Sequence, residues 1–340
     1  YIYELTRPHW LDFFNVYGRR HKCRFRRNIM TQKAWAFLGG KQVPEEDAKV
    51  GVMTHALHYG TSVFEGIRGN WNDRIGKIAI FRLAEHYERL LRGCKILRID
   101  LPYSVDDLCQ ITVDLADKNG FREDVYIRPL AFKGQEAVAN LNLNSLDDEF
   151  MLVMLPFGSY IDNTRPLKCQ TSSWRRPMDS SMPTGVKIAG LYTTSILAKS
   201  EALAAGYDEA ILLNQDGSVS EGSGENLFMV RDGVISTPSE TDNCLLGITR
   251  DSVIQLAKNE LNMDVVQRHI HRSELYLADE VFLTGTAAHL TSVGELDNRV
   301  IGTGTTGAVT KQLQDLYFST VVGDNDRYVN WCTFVTPSSG

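Results

Sequence analysis

An α+β fold of two domains is what this sequence predicts, on three observations. At 340 residues the chain is longer than one ordinary hydrophobic core organises. Its hydrophobic content of 43% and charged content of 23% are those of a globular protein. Strand-like and helix-spaced segments then mix along both halves, separated by a turn-rich stretch at 157–166.

In the first half, Trp35-Ala-Phe-Leu-Gly-Gly-Lys-Gln-Val43 reads as a β-hairpin around Gly39-Gly40. Ile78–Phe81 is a short buried strand. From Leu83 to Lys95 the spacing is helical, with Leu83, Tyr87, Leu90, Leu91 and Cys94 on one side. Ser104-Val-Asp-Asp107 has the form of a capping box, with Asp in place of Glu, and opens a helix through Ala116. Val125–Phe132 and Glu149–Leu155 are strands. The second half begins with a strand at Leu167–Ser172. A helix over Thr193–Ala205 and a strand at Glu209–Leu213 follow. A hairpin joins Asn226–Val230 to Val234–Ser236 around Asp232-Gly233; then come a helix over Thr249–Leu261 and a strand at Glu280–Thr284. The expected domains are therefore a small one at 30–156, a linker at 157–166, a large one at 167–332 and a tail at 333–340. Residues 1–29 are basic and aromatic with little periodicity, and are expected to be an extension ahead of a start at Met30.

Composition excludes several classes of function. A formal charge of -6 argues against nucleic acid as the main partner, since phosphate backbones want a basic surface. No run of about 18 apolar residues offers a membrane span. The six cysteines are scattered without a C-x-x-C pair, which points away from a zinc site or disulfide framework and toward the cytoplasm. His55 and His58 lack a third ligand nearby and read as structural histidines, so no metal is expected. Gly302-Thr-Gly-Thr-Thr-Gly307 matches G-x-G-x-x-G and precedes a helix, but no buried strand leads into it, so it reads as a surface loop.

Two segments carry chemistry. Lys187 stands between Val186 and Ile188 in Pro183-Thr-Gly-Val-Lys-Ile-Ala-Gly-Leu-Tyr192. Desolvation there favours a neutral amine, which can attack an aldehyde. Glu221 follows in Ser220-Glu-Gly-Ser-Gly-Glu-Asn226, where a carboxylate beside a glycine-rich turn can hold a pyridinium nitrogen protonated. An amine for a Schiff base and an acid for a ring nitrogen are what pyridoxal phosphate requires. Leu246-Gly-Ile-Thr-Arg-Asp251 adds a helix start whose free N–H groups and Thr249 hydroxyl suit a phosphate. Leu283-Thr-Gly-Thr-Ala-Ala-His289 adds a turn with a hydroxyl at Thr286.

These pieces, with His58-Tyr-Gly-Thr-Ser-Val-Phe-Glu-Gly-Ile-Arg68, Phe81-Arg82, Tyr126-Ile-Arg-Pro129 and Tyr276-Leu-Ala-Asp-Glu-Val-Phe282, resemble the fold-type-IV pyridoxal-phosphate enzymes. Within them they resemble the branched-chain amino acid aminotransferases, from about Trp35 to Trp331. The resemblance implies an α+β, two-domain architecture with pyridoxal 5'-phosphate between a smaller N-terminal and a larger C-terminal domain. It implies ping-pong transfer of an amino group between Leu, Ile or Val and 2-oxoglutarate through an internal aldimine on Lys187. Cofactor-binding roles would fall to Arg82, Lys187, Tyr192, Glu221, Gly247, Ile248, Thr249 and Thr286. The substrate would meet Tyr59 (from a partner subunit), Phe64, Gly66, Arg68, Tyr126, Arg128, Tyr160, Ala287 and Ala288, with Arg128 on the distal carboxylate of glutamate. A homodimer or larger homo-oligomer is implied, because the pocket borrows from a neighbour. Leu191, Phe157 and His289 depart from the residues common at their places and bear on substrate range. The rival readings are other members of the same fold, acting on D-amino acids, (R)-amines or aminodeoxychorismate, and a non-catalytic relative.

Overall fold

The computed structural model describes residues 34–158 and 165–338. The expectations for residues 1–29 and for Tyr160 lie outside the described residues. From Ala34 onward the chain builds two sheets within one compact unit.

The first sheet opens with β1 (Trp35–Leu38) and β2 (Lys41–Pro44), antiparallel across Gly39 and Gly40. Both glycines take positive φ, +60° and +77°, as a two-residue hairpin turn requires. After α1 (His55–Tyr59) come β3 (Ser62–Phe64), β4 (Ile67–Asn72) and β5 (Lys77–Phe81), then α2 (Leu83–Ile96), α3 (Val105–Asn119), β6 (Val125–Lys133) and β7 (Asp148–Pro156). Ser104 caps α3 in a closed capping box with Asp107, and Gly120 ends it in the left-handed region. α2 and α3 lay Leu83, Tyr87, Leu90, Leu108 and Leu115 on Ile67, Ile78, Val125, Ile127 and Leu152 of the sheet, in one core.

The second sheet holds β8 (Leu167–Arg175), β9 (Glu209–Leu213), β10 (Val219–Gly222), β11 (Asn226–Arg231), β12 (Val234–Thr237), β13 (Val265–Gln267), β14 (Glu280–Gly285), β15 (His289–Leu296) and β16 (Arg299–Val300). Its helices are α4 (Tyr192–Ala204), α5 (Ile248–Leu261), α6 (Arg272–Leu275) and α7 (Ala308–Val321). The strand order is β10-β9-β8-β15-β14-β11-β12-β13, and β8 runs parallel to both neighbours. The central strands are covered on both faces. Leu227, Met229, Val281 and Leu283 enter one core, while Phe228, Val230 and Phe282 enter another beneath α5 and α7. This is why β9 reads as an apolar run without alternation.

The expected tail at 333–340 is corrected. β17 (Cys332–Val335) returns to the first sheet and pairs antiparallel with β5, Cys332 opposite Phe81 and Val335 opposite Ile78. Phe81 packs with Tyr317 and Trp331, so the core under α5 and α7 reaches the first sheet.

Candidate active site

The segment carrying Lys187 leaves the second sheet and runs against the edge of the first. Ile188 bridges to Val63, and the Phe64 amide donates to the Lys187 carbonyl at 3.1 Å. Two β-strand-like contacts thus hold the backbone of Lys187 between the sheets. Its Nζ donates to Tyr192 Oη at 2.5 Å and stands 5.0 Å from the ring centres of Phe64 and Tyr192. Tyr192 opens α4, so the phenol and the amine come from the two ends of one short turn.

One wall of the cavity around this amine is built from Arg89, Glu221, Asn226, Gly247, Ile248, Thr249, Thr284 and Thr286, among others. Glu221 sits at the end of β10, and its Oε1 pairs with Arg176 at 2.8 Å while Oε2 accepts from the Leu245 amide at 2.9 Å. Burial pushes its carboxyl up, and the Arg176 guanidinium opposes that rise. The neighbouring Glu225 is pushed up to about 8 by burial, with the charge of Glu209 adding to the shift and Lys199 opposing it.

α5 begins at Ile248 with Gly247 as its N-cap, and among the described residues no side chain accepts from its first amides. Those N–H groups are free donors at the positive end of the helix. A Cβ on Gly247 would stand 2.1 Å from Asn226 Oδ1, so only glycine lets the chain pass so close. The start of α7 is different. It too follows a glycine loop, but Glu280 fills it, accepting from the amides of Val309 and Thr310 at 3.0 and 2.8 Å. The G-x-G-x-x-G loop is therefore closed to an anion, and the Leu246–Thr249 turn is open.

A wider cavity of about 610 Å³ adjoins this wall, and Phe64, Gly66, Tyr126, Arg128, Leu130, Phe157, Lys187, Tyr192, Thr286 and Ala287 line it. A side chain at position 66 would strike Tyr126 Oη, at 2.4 Å from its Cβ. Arg128 donates to that hydroxyl at 2.7 Å and lies 4.5 Å from the Phe64 ring centre; among the described residues it has no carboxylate partner. The cavity is thus aromatic with a single unneutralised guanidinium.

The structure brings together Lys187, Tyr192, Glu221, Gly247, Ile248, Thr249 and Thr286 as the sequence implied, and Phe64, Gly66, Tyr126, Arg128 and Ala287 beside them. It does not bring in Arg82. That side chain is tied to Glu85, Asp251 and Ser252 at the junction of α2 and α5, outside the cavity lining. Arg89, seven residues on, lines both parts of the cavity instead. Arg68 lies behind the wall, bonded to Asp124 at 2.8 Å with its guanidinium 5.6 Å from the Phe157 ring. Ala288 is 1% exposed and belongs to the core rather than the lining. Tyr59 is 41% exposed, and its hydroxyl accepts from the Ala139 amide, away from the cavity of its own chain. Sequence reading missed Arg89, Arg176 and Asn226. A signal for Arg89 existed: Glu65 sits in the apolar run Val63–Ile67 and needs a cation.

The donor set fits pyridoxal 5'-phosphate. Free helix amides, Arg89, Thr249 and Thr286 suit a phosphate dianion, Glu221 suits a protonated ring nitrogen, and Lys187 lies between. The buried Thr284 hydroxyl in the same wall has no partner among the described residues.

The amino-transferase class IV family model matches residues 62–296. The chain belongs to the class IV aminotransferases. This class IV aminotransferase is 49% identical over 299 residues to a protein of Aquifex aeolicus (strain VF5) named probable branched-chain-amino-acid aminotransferase, covering 88% of this chain and 96% of that one. It is 41% identical over 307 residues to the branched-chain-amino-acid aminotransferase of Escherichia coli (strain K12), covering 89% and 98%. Among solved structures, the branched-chain aminotransferase of Thermoproteus uzoniensis with norvaline superposes with a TM-score of 0.85 at 42% identity over 89% of this chain and 99% of that one. The branched-chain amino acid aminotransferase from Thermobaculum terrenum in PLP-form gives 0.83 at 38% identity, covering 89% and 98%.

Proposed function

We propose that this protein is a pyridoxal-5'-phosphate-dependent transaminase that moves the amino group between branched-chain L-amino acids and 2-oxoglutarate. The observation that carries the reading is the placement of the Lys187 amine in a cavity with Glu221 on one wall and the open start of α5 on the same wall. The named relatives, and the PLP-form of one of their structures, support it.

The cofactor supplies an aldehyde that exchanges amines and a ring that withdraws electrons from the substrate's α-carbon. The chain's residues do the rest. The first-turn amides of α5, with Arg89, Thr249 and Thr286, hold the phosphate. Glu221 accepts the ring N–H, and the Arg176 guanidinium favours the charged form of that carboxylate. Lys187 Nζ holds the cofactor, then moves a proton at the α-carbon as general base, with Tyr192 Oη receiving its hydrogen bond. Phe64, Tyr126 and Phe157 bury an apolar side chain, and Arg128 meets the second carboxylate of glutamate. One aromatic cavity whose Arg128 has no carboxylate partner among the described residues can thus serve both halves of a ping-pong exchange.

The reading includes a second copy of the chain. Val52, Met53, Leu57, Tyr59 and Leu141 are exposed apolar side chains around α1, and a dimer would cover them and bring Tyr59 to the neighbour's cavity. No helix among the described residues is long and apolar enough to cross a membrane, and a cytoplasmic location is part of the same proposal.

Lys187→Ala tests the reading. Transamination and the visible absorbance of the purified protein should both vanish, because among the described residues Lys187 carries the amine on the wall with Glu221 and the start of α5, while the Lys199 amine of the wider cavity is paired with Glu209. Near-normal turnover would overturn it. A donor panel with 2-oxoglutarate tests the substrate. L-leucine should exceed L-alanine in kcat/KM by roughly tenfold or more, for three missing carbons at ~0.8 kcal/mol each. Faster turnover of D-alanine or (R)-1-phenylethylamine would favour another branch of the fold.

A further inference from the structure

Arg89 is held by a carboxylate that takes no part in the proposed chemistry. Glu65 lies between β3 and β4, flanked in sequence by Phe64 and Gly66 of the substrate cavity, and is 0% exposed. Its Oε1 accepts from Arg89 Nε at 2.6 Å, and its Oε2 accepts from Arg89 Nη2 and from His86 Nδ1, both at 2.7 Å. Arg89 Nη1 donates to the Leu246 carbonyl at 2.8 Å, one residue before the Gly247 cap of α5. Three of the five guanidinium N–H groups are thereby committed, and two remain, one on each terminal nitrogen.

The charges of this cluster are fixed by burial and pairing. Burial alone would push the Glu65 carboxyl up, but Arg89 and His86 outweigh it and hold the carboxyl well below the usual range. For Arg89, burial is likewise outweighed by Glu65, so the guanidinium stays charged. Burial lowers the pKa of His86, which is therefore neutral and donates from Nδ1. A single anion thus faces a single cation, in a place where an unpaired charge is costly.

We infer that Glu65 is the internal counter-ion of Arg89, neutralising it while the cavity is empty and fixing the direction of its two free N–H groups for the phosphate. Glu65 is a positioning residue: it acts through Arg89. The inference rests on the reading that the cavity takes a phosphate. When the phosphate is bound, its own charge compensates Arg89, so the stability supplied by Glu65 matters most in the empty protein.

The experiment compares melting of stripped and pyridoxal-5'-phosphate-loaded protein for wild type and Glu65→Gln. Glutamine keeps the shape but not the charge. Breaking a buried pair on one side should lower the Tm of the stripped protein on the order of 5–10 °C. The loaded form should fall by less than half as much, so that the cofactor-induced rise in Tm widens. Equal falls in both forms, or no fall in the stripped form, would overturn the inference and leave Glu65 a packing residue. Should Glu65→Gln be insoluble when stripped, the double variant Glu65→Gln/Arg89→Met removes both charges. Recovery of stripped stability toward wild type then supports the counter-ion role, and a double variant as unstable as the single one rejects it. A wild type that gains no stability with the cofactor would sink the functional reading itself, a distinct result.

Discussion

Glu221 and Arg128 are charged side chains at opposite duties in the two adjoining parts of the cavity, and each can be tested alone. Glu221 shares its carboxylate between Arg176 and the Leu245 amide, so a neutral amide in its place would keep the shape and lose the charge. Glu221→Gln should leave the cofactor bound and slow both half-reactions on the order of a hundredfold or more, as loss of a charged hydrogen bond at the reacting ring implies. Unchanged single-turnover rates would make Glu221 a turn residue. Arg128→Ala should instead divide the halves. The 2-oxoglutarate half-reaction should slow by roughly tenfold to a hundredfold, because a buried carboxylate loses its partner, while the leucine half-reaction changes little. Equal losses would mean that Arg128 only braces Tyr126. His289 adds a dependence on acid. Burial lowers its imidazole from 6.5 to about 3, with Arg68 adding to the fall. Between those values the unfolded chain takes up a proton that the folded one refuses, so stability falls as pH falls through that window. His289→Gln should flatten this acid limb in denaturant titrations at a series of pH values; an unchanged slope would show that other groups set it.

At the scale of the element, the deciding difference is between two helix starts. α5 is uncapped and open to a ligand, whereas α7 is closed by Glu280. Gly247→Ala should push on Asn226 and disturb the first turn of α5, raising the dissociation constant for pyridoxal 5'-phosphate far more than that for pyridoxal, which lacks the phosphate. An equal rise for both would place the damage elsewhere. The sequence already carried much of this. Local signals were readable wherever one residue fixes one geometry: Gly39-Gly40 for the hairpin, Ser104 with Asp107 for α3, the glycine before α5. β3, β13 and β17 were not readable. They are short, and their pairing partners lie far away along the chain, as Ser62 with Phe132 or Cys332 with Phe81. The misplacement of the phosphate-side arginine has a similar cause. Arg82 and Arg89 lie on the same helix start and first turns, and only tertiary packing turns one toward Asp251 and the other toward Glu65 and the cavity.

For the whole molecule, side-chain ties of different kinds join the two sheets and the helices packed on them. Arg82 links the start of α2 to α5, Arg89 links α2 to the loop before α5, and Phe81 carries the first sheet's packing onto Tyr317 of α7. The cavity sits among these ties, so its two walls are positioned by the same contacts that stabilise the unit. Substitutions at Phe81 should therefore cost activity and stability together: Phe81→Ala is expected to lower stability by about 3–5 kcal/mol, read by chemical denaturation, and to weaken cofactor retention in parallel. Loss of stability with cofactor affinity intact would show that the walls are set independently.

The pairing of β17 with β5 has a consequence for the order in which the chain matures. During synthesis β5 emerges roughly 250 residues before the strand that covers it, and at about 5–20 residues per second that is a wait on the order of ten seconds or more. Throughout that interval the backbone groups of Lys77–Phe81 on that side offer a template for any passing strand. A ribosome-bound chain halted before Cys332 should be more prone to self-association than one halted after Val335, and chaperone dependence should track that boundary rather than the completion of either core.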